Sequence, residues 1–206
     1  MSYINLTTRT VSALVAVALP ALTASAGVAS LTPVADGYHS ESSGINSSGV
    51  FLNMQYYPSL SLARQTALIE FDLSGVAASD VDSAMLTLIE NGGGSNGIEL
   101  IGYTGTADGA LGVDDLSGGM TITTFDPIGG TPGVPAQFDV TNFVRDAAGG
   151  MVGFRFYATG DTTQFQYRGT NYGDGSSSPL LNIVPGPGSA LVMGVAGVIA
   201  AGRRRR

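Results

Sequence analysis

Cysteine, lysine and tryptophan are all absent from the 206 residues, and histidine occurs once, as His39. Without cysteine there is no disulfide framework, no thiolate nucleophile and no cysteine metal site. A single histidine rules out His-rich zinc centres and leaves any Ser-His-Asp arrangement only His39 to be built on. That residue sits in Asp36-Gly37-Tyr38-His39-Ser40, which reads as loop-like. Positive charge is scarce as well. All nine basic residues are arginines, four of them the last four residues, and a fifth, Arg9, lies near the N-terminus. Over Gly27–Val184, Arg64, Arg145, Arg155 and Arg168 stand against all 16 acids, a formal −12 where the whole chain carries −7. So acidic a body repels phosphate backbones and anionic membrane faces, which argues against nucleic-acid binding. Neutral sugars, divalent cations or acidic surfaces bridged by calcium suit it better. A body of roughly 150 residues buries about two-thirds of its unfolded surface, enough to stand without covalent staples.

Both ends read as addresses. Arg9 precedes the apolar run Val11–Leu22, and Ala24-Ser25-Ala26 supplies the small-x-small pattern for signal peptidase, with cleavage expected before Gly27. Cleavage after Ala29 is the competing choice. At the far end, Val184-Pro185-Gly186-Pro187-Gly188 forms a rigid break. The apolar stretch Ser189–Gly202 and the basic cluster Arg203, Arg204, Arg205 and Arg206 follow. As a helix that stretch reaches about 21 Å against a hydrocarbon core of about 30 Å, which suits temporary retention in a membrane rather than permanent anchoring. The arginines would stay on the cytoplasmic side.

In order and spacing this tail resembles the PEP-CTERM sorting signal: Pro-x-Pro, a short transmembrane helix, terminal arginines. The resemblance implies processing by an exosortase-type membrane peptidase. Gly186 stands where the family motif carries glutamate.

Between the addresses no long helical period occurs. Short alternating runs recur instead, punctuated by Gly, Pro, Ser and Asp. In Thr66–Leu73, Ala67, Ile69, Phe71 and Leu73 share one face and Glu70 and Asp72 the other. In Met151–Ala158, Val152, Phe154, Phe156 and Ala158 point inward, Arg155 and Tyr157 outward. Further strands are expected at Val50–Tyr56, Ser83–Glu90, Ile98–Tyr103, Met120–Phe125, Gln137–Val140, Thr163–Arg168 and Leu180–Val184. Turns are expected at Asn91–Gly94, Pro127–Pro135 and Tyr172–Pro179. One short helix is expected over Thr141–Ala147, with Thr141 as its N-cap. Some ten strands without a helical layer predict an all-β, two-sheet β-sandwich, best drawn as a jelly roll. It would be flanked by a signal-peptide helix (residues 1–26) and a short C-terminal hydrophobic helix (within 185–206).

The order of Val34–Tyr38, Ala67–Ser74, Ser83–Ile89, Phe138–Val144, Gly153–Ala158 and Ser178–Val184 is similar to the DNRLRE-type domain, a jelly-roll module of bacterial surface proteins related to carbohydrate-binding modules. Gly92–Pro135 departs most from it. The resemblance implies a sugar-binding role and raises the expectation of one structural calcium ion. Oxygen ligands on glycine-rich loops suit that ion, and Asp36, Glu41 and Asp139 are the candidates. For a sugar, whose C–H face packs on an aromatic ring, the candidates are Tyr157, Tyr167, Arg168 and Tyr172. Gly92–Gly97 opens no helix, so no phosphate-cradling loop is present. Among 16 acids no spacing singles out a glycosidase pair. The expected function is an exported structural or adhesive protein of the surface or matrix, not an enzyme. A stand-alone extracellular polysaccharide-binding module is the alternative.

Overall fold

Alternation sets the architecture. A strand turns successive side chains to opposite faces, and the inward sets Leu52/Met54, Ala67/Ile69/Phe71, Leu86/Leu88, Val152/Phe154/Phe156 and Phe165/Tyr167 are all buried in one hydrophobic cluster. The computed structural model describes residues 28–127 and 130–186. The expected leader, with Ala24, Ala26 and Gly27, and the tail from Pro187 through Arg206 lie outside the described residues.

The strands are β1 (Ala29–Leu31), β2 (Ala35–Ser40), β3 (Gly44–Asn46), β4 (Phe51–Tyr57), β5 (Leu62–Asp72), β6 (Ser83–Gly94), β7 (Ile98–Tyr103), β8 (Met120–Phe125), β9 (Pro135–Asp139), β10 (Met151–Ala158), β11 (Thr163–Arg168) and β12 (Leu180–Val184). One short helix, α1 (Thr141–Asp146), joins β9 to β10. All pairings are antiparallel and form one continuous curled sheet, a half-barrel, in the order β1-β12-β6-β11-β4-β5-β10-β7-β8. β2 adds to β5 and carries β3, and β9 adds to β6. The curl turns on β6. Its first half, Ser83–Ile89, pairs with β12 and β9, and its second half, Glu90–Gly94, pairs with β11. No helix among the described residues is long and apolar enough to cross a membrane.

The expected strands are present within a residue or two at most ends, and four local expectations are corrected. His39 lies within β2, paired with Thr66 and Ile45, not in a loop. Asn91–Gly94 is no turn. β6 continues through these glycines, and Gly93 packs so closely on the backbone of Gln164 that a Cβ there would overlap it. Thr141 is the first helical residue rather than the cap, because its hydroxyl is already held between Asp139 and the backbone of Ala84. Finally, Glu70 and Arg155 do face away from the main core, yet both are buried, because the segment between β7 and β8 covers that side of the sheet.

Candidate functional site

The covered patch lies on β5, β10 and β7. Register places Glu70, Gly153 and Tyr103 in one row across the three strands, with Leu68, Arg155 and Ile101 in the next. Gly153 is required here: the Tyr103 ring lies across it, and a Cβ would overlap the ring. Tyr103 thereby reaches Glu70, donating its hydroxyl to Oε1 at 3.2 Å, while the Gly109 N–H donates to Oε2 at 2.7 Å. Burial, above all, pushes the Glu70 carboxyl up to about 7. The bonds from Gly109 and Tyr103 pull it down, and the nearby Asp115 and Asp108 push it further up. Burial also drives the Tyr103 hydroxyl far above its ordinary range.

Arg155 fastens the same segment from below. Its Nη1 donates to the carbonyls of Asp115 (2.6 Å) and Ser117 (3.4 Å), and its Nη2 to that of Gly118 (2.8 Å). Asp115 turns back on its own loop, accepting the Gly112 N–H at 2.7 Å, and its other carboxylate oxygen is buried without a hydrogen-bond partner among the described residues. Residues 104–119 are thus a strap bound to the sheet by two buried ionisable side chains. At its base an open cavity of about 350 Å3 is lined by Gly102, Thr106, Ser117, Gly119 and the ring of Phe143, among others.

A second polar cluster is on the surface. Where β4 and β5 shift register between Gln55 and Tyr57, the Arg64 guanidinium lies 3.8 Å from the Tyr56 ring centroid and 4.5 Å from that of Tyr157. Its Nη1 donates to the Tyr157 hydroxyl. Stacking of this kind contributes about 0.5–1 kcal/mol at exposed sites.

The four expected sugar contacts do not form one surface. Arg168 stacks on Tyr172 at 4.6 Å, with Phe51 edge-on to the same ring. Tyr157 is elsewhere: Thr163, level with Tyr56, and Arg168, level with Phe51, are opposite ends of the β4–β11 pairing. Tyr167 is not exposed at all. At 1% exposure it is packed against Phe156, Phe165 and Phe138. The sequence held this signal: Thr163, Phe165 and Tyr167 alternate with Gln164, Gln166 and Arg168, and the apolar set goes inward. Tyr56 and Arg64 were missed because a register shift, invisible to periodicity, brings them together.

The expected calcium ligands are likewise separate. Asp36 accepts both the N–H (2.9 Å) and the hydroxyl (2.6 Å) of Thr170, tying β2 to the loop after β11. Glu41 accepts the backbone N–H of Arg64 at 3.2 Å. Asp139 Oδ1 accepts the N–H and hydroxyl of Thr141, at 3.0 and 2.6 Å, and these bonds hold its carboxyl below the usual range. Among the described residues no group of three or more His, Cys, Asp or Glu side chains is placed to hold a metal ion. Asp139, one residue before the Val140 N-cap, instead accepts the first N–H of α1. Asp139→Ala is expected to lower stability by about 1 kcal/mol, the usual size of a lost helix cap. A urea midpoint equal to that of the parent chain would show that α1 starts without it.

Compared with known proteins, the chain matches no protein-family model and no curated protein.

Proposed function

We propose that this chain is an exported protein of the cell surface or extracellular matrix, structural or adhesive in role, whose β body is held at one end and presents the other. The observation that carries this reading is the pairing of β1 with β12, Ala29 opposite Ile183 and Leu31 opposite Leu181. The segment following the expected leader and the segment preceding the expected tail therefore leave the body side by side. Cleavage between Ala26 and Gly27 would free an N-terminus two residues before β1. The tail departs at Pro185, with Gly186 seated against Ser79 and Asp82. A body with both ends on one edge can be retained through its tail without unfolding.

The PEP-CTERM-like order of Pro185-Gly186-Pro187, apolar stretch and arginines supports delivery to an exosortase-type peptidase, with membrane contact only while the tail persists. The bending of β6 supports a jelly-roll reading of the curl. One wall would be β1, β12, β9 and the first half of β6, and the other would run from β11 to β8. The strap suits a structural role, since Glu70 and Arg155 both hold its backbone to the sheet.

Mass spectrometry of the termini of the surface-located protein tests the proposal. The expected species begins at Gly27 and lacks Arg203–Arg206. Intact Arg206 at the surface removes the cleaved tail, and a cytoplasmic chain beginning at Met1 removes export.

A further inference from the structure

The end of the body farthest from the tail carries a cluster that packing does not account for. β6 runs from Ser83, opposite Val184, to Gly94, opposite Gln164, roughly 36 Å of strand at about 3.3 Å per residue. Gln164 adjoins Thr163, which pairs with Tyr56. The turn from β4 to β5 is therefore at the opposite end from Pro185. Leu60 (64% exposed) lies in that turn and Leu62 (45%) opens β5 beside it. Ser61 between them adopts a left-handed φ of 52°, alone among the described non-glycine residues. It closes the short 3-10 turn Pro58–Leu60 as its left-handed cap, the Ser61 N–H donating to the Pro58 carbonyl at 3.2 Å.

Arg64 sits behind this turn with donors to spare. Among the described residues its guanidinium makes one hydrogen bond, to the Tyr157 hydroxyl, and its Nε is out of solvent with no acceptor. Arg145 and Arg155 place theirs on backbone carbonyls, whereas Arg168, stacked on Tyr172, shares the buried Nε without an acceptor but is fixed by one ring rather than two. A planar cation fixed by two rings has lost its rotamer freedom before any ligand arrives, which lowers the cost of binding. Acceptors flank it. Glu41 receives the Arg64 backbone N–H, and Glu99 lies opposite Tyr157 in register, receiving the Thr121 hydroxyl. Fixed donors beside acceptors, ring surfaces and exposed leucines match a molecule whose hydroxyls donate and accept and whose ring has an apolar face. Charge selects among such molecules. The −12 body and the two adjacent carboxylates repel a polyanion.

The geometry points to a glycan-contact surface at this tip, built on Tyr56, Arg64 and Tyr157, for a neutral polysaccharide. It rests on the adhesive reading above and gives that reading a contact surface. Affinity gel electrophoresis of the full chain in mild detergent tests it, with laminarin, galactomannan or polygalacturonate cast into the gel. Retardation is expected with a neutral polymer and not with polygalacturonate. Arg64→Met and Tyr157→Ala should each weaken the apparent Kd roughly tenfold, with thermal midpoints unchanged. Asp174→Ala, in the exposed loop after β11, should leave the Kd as it was. If Arg64→Met disturbs folding, Tyr157→Phe decides: it keeps the ring and must lose less than Tyr157→Ala. No retardation, retardation by polygalacturonate alone, or binding indifferent to the tip variants overturns the inference. A surface-located protein that binds no neutral glycan removes this inference alone. A cytoplasmic chain that binds one through Arg64 keeps the contact surface and loses the export reading.

Discussion

Arg155→Met is expected to lower the thermal midpoint by roughly 10 °C and to make residues 104–119 the first site of proteolysis. The substitution keeps most of the apolar stem and removes the head that holds the carbonyls of Asp115, Ser117 and Gly118. At 6% exposure Arg155 has little water to replace those bonds. Its charge also stands near Asp115, and neither has solvent nearby. Removing one partner from a buried charged arrangement typically costs about 3–5 kcal/mol. For a domain of this size each kcal/mol moves the midpoint by about 2–4 °C. Arg155→Lys separates charge from geometry, because one ammonium cannot span three carbonyls spread over four residues. It should recover part of the midpoint and little of the protease resistance. Limited proteolysis with mass mapping reads both. First cleavage elsewhere, at an unchanged rate within 104–119, would show that the strap is held by something other than Arg155.

The strap also marks the boundary of what periodicity could reveal. Alternation in Thr66–Leu73 and Met151–Ala158 assigned the faces of β5 and β10 correctly, because one face of each is uniformly apolar. What alternation cannot tell is whether the second face meets water. Glu70 and Arg155 carry charge, so solvent was the natural expectation. They are buried because a glycine-rich segment without apolar pattern folds over them, held by backbone groups that any sequence possesses. β2 and β3 were missed for a related reason. Asp36 and Gly37 have low strand propensity, and β2 forms because β5 offers an open edge. Gly92 and Gly93 read as a turn for want of side chains, yet that absence is what allows β6 to approach β11 closely. At the tip, Tyr56 and Arg64 are eight positions apart in sequence and meet only through the register shift between β4 and β5. The leader and tail expected at the two ends rest on ordered strings of chemistry alone; the pairing of β1 with β12 was not legible, since a three-residue strand leaves almost no pattern.

Glu70 makes the stability of this protein depend on pH in the direction opposite to that of most carboxylates. In the folded state its carboxyl titrates at about 7, against an ordinary value of 4.5. The folded state therefore holds the proton more tightly than the unfolded chain. The contribution to stability is complete below about pH 4.5 and is lost as pH rises through 7. A difference of this size corresponds to up to about 3 kcal/mol, and the open cavity beside Tyr103 lets solvent screen part of it. Asp72, Asp139 and Asp174 work the other way. Hydrogen bonds from Ser74, Thr141 and Ser176 hold their carboxyls low, so their contribution is lost on acidification, and each is exposed enough to matter less. Glu70→Gln isolates the buried group. The amide mimics the protonated acid: its oxygen accepts the Gly109 N–H and its nitrogen donates to the Tyr103 oxygen. Urea denaturation from pH 4.5 to 8.5 should show the variant and the parent chain alike at the acid end and the variant more stable by up to about 3 kcal/mol at the alkaline end. Parallel curves across that range would mean that Glu70 is ionised throughout, with its charge met by donors stronger than Gly109 and Tyr103. The strap would then be an anion-binding loop closed on an internal carboxylate, and Glu70→Gln would destabilise the fold at every pH.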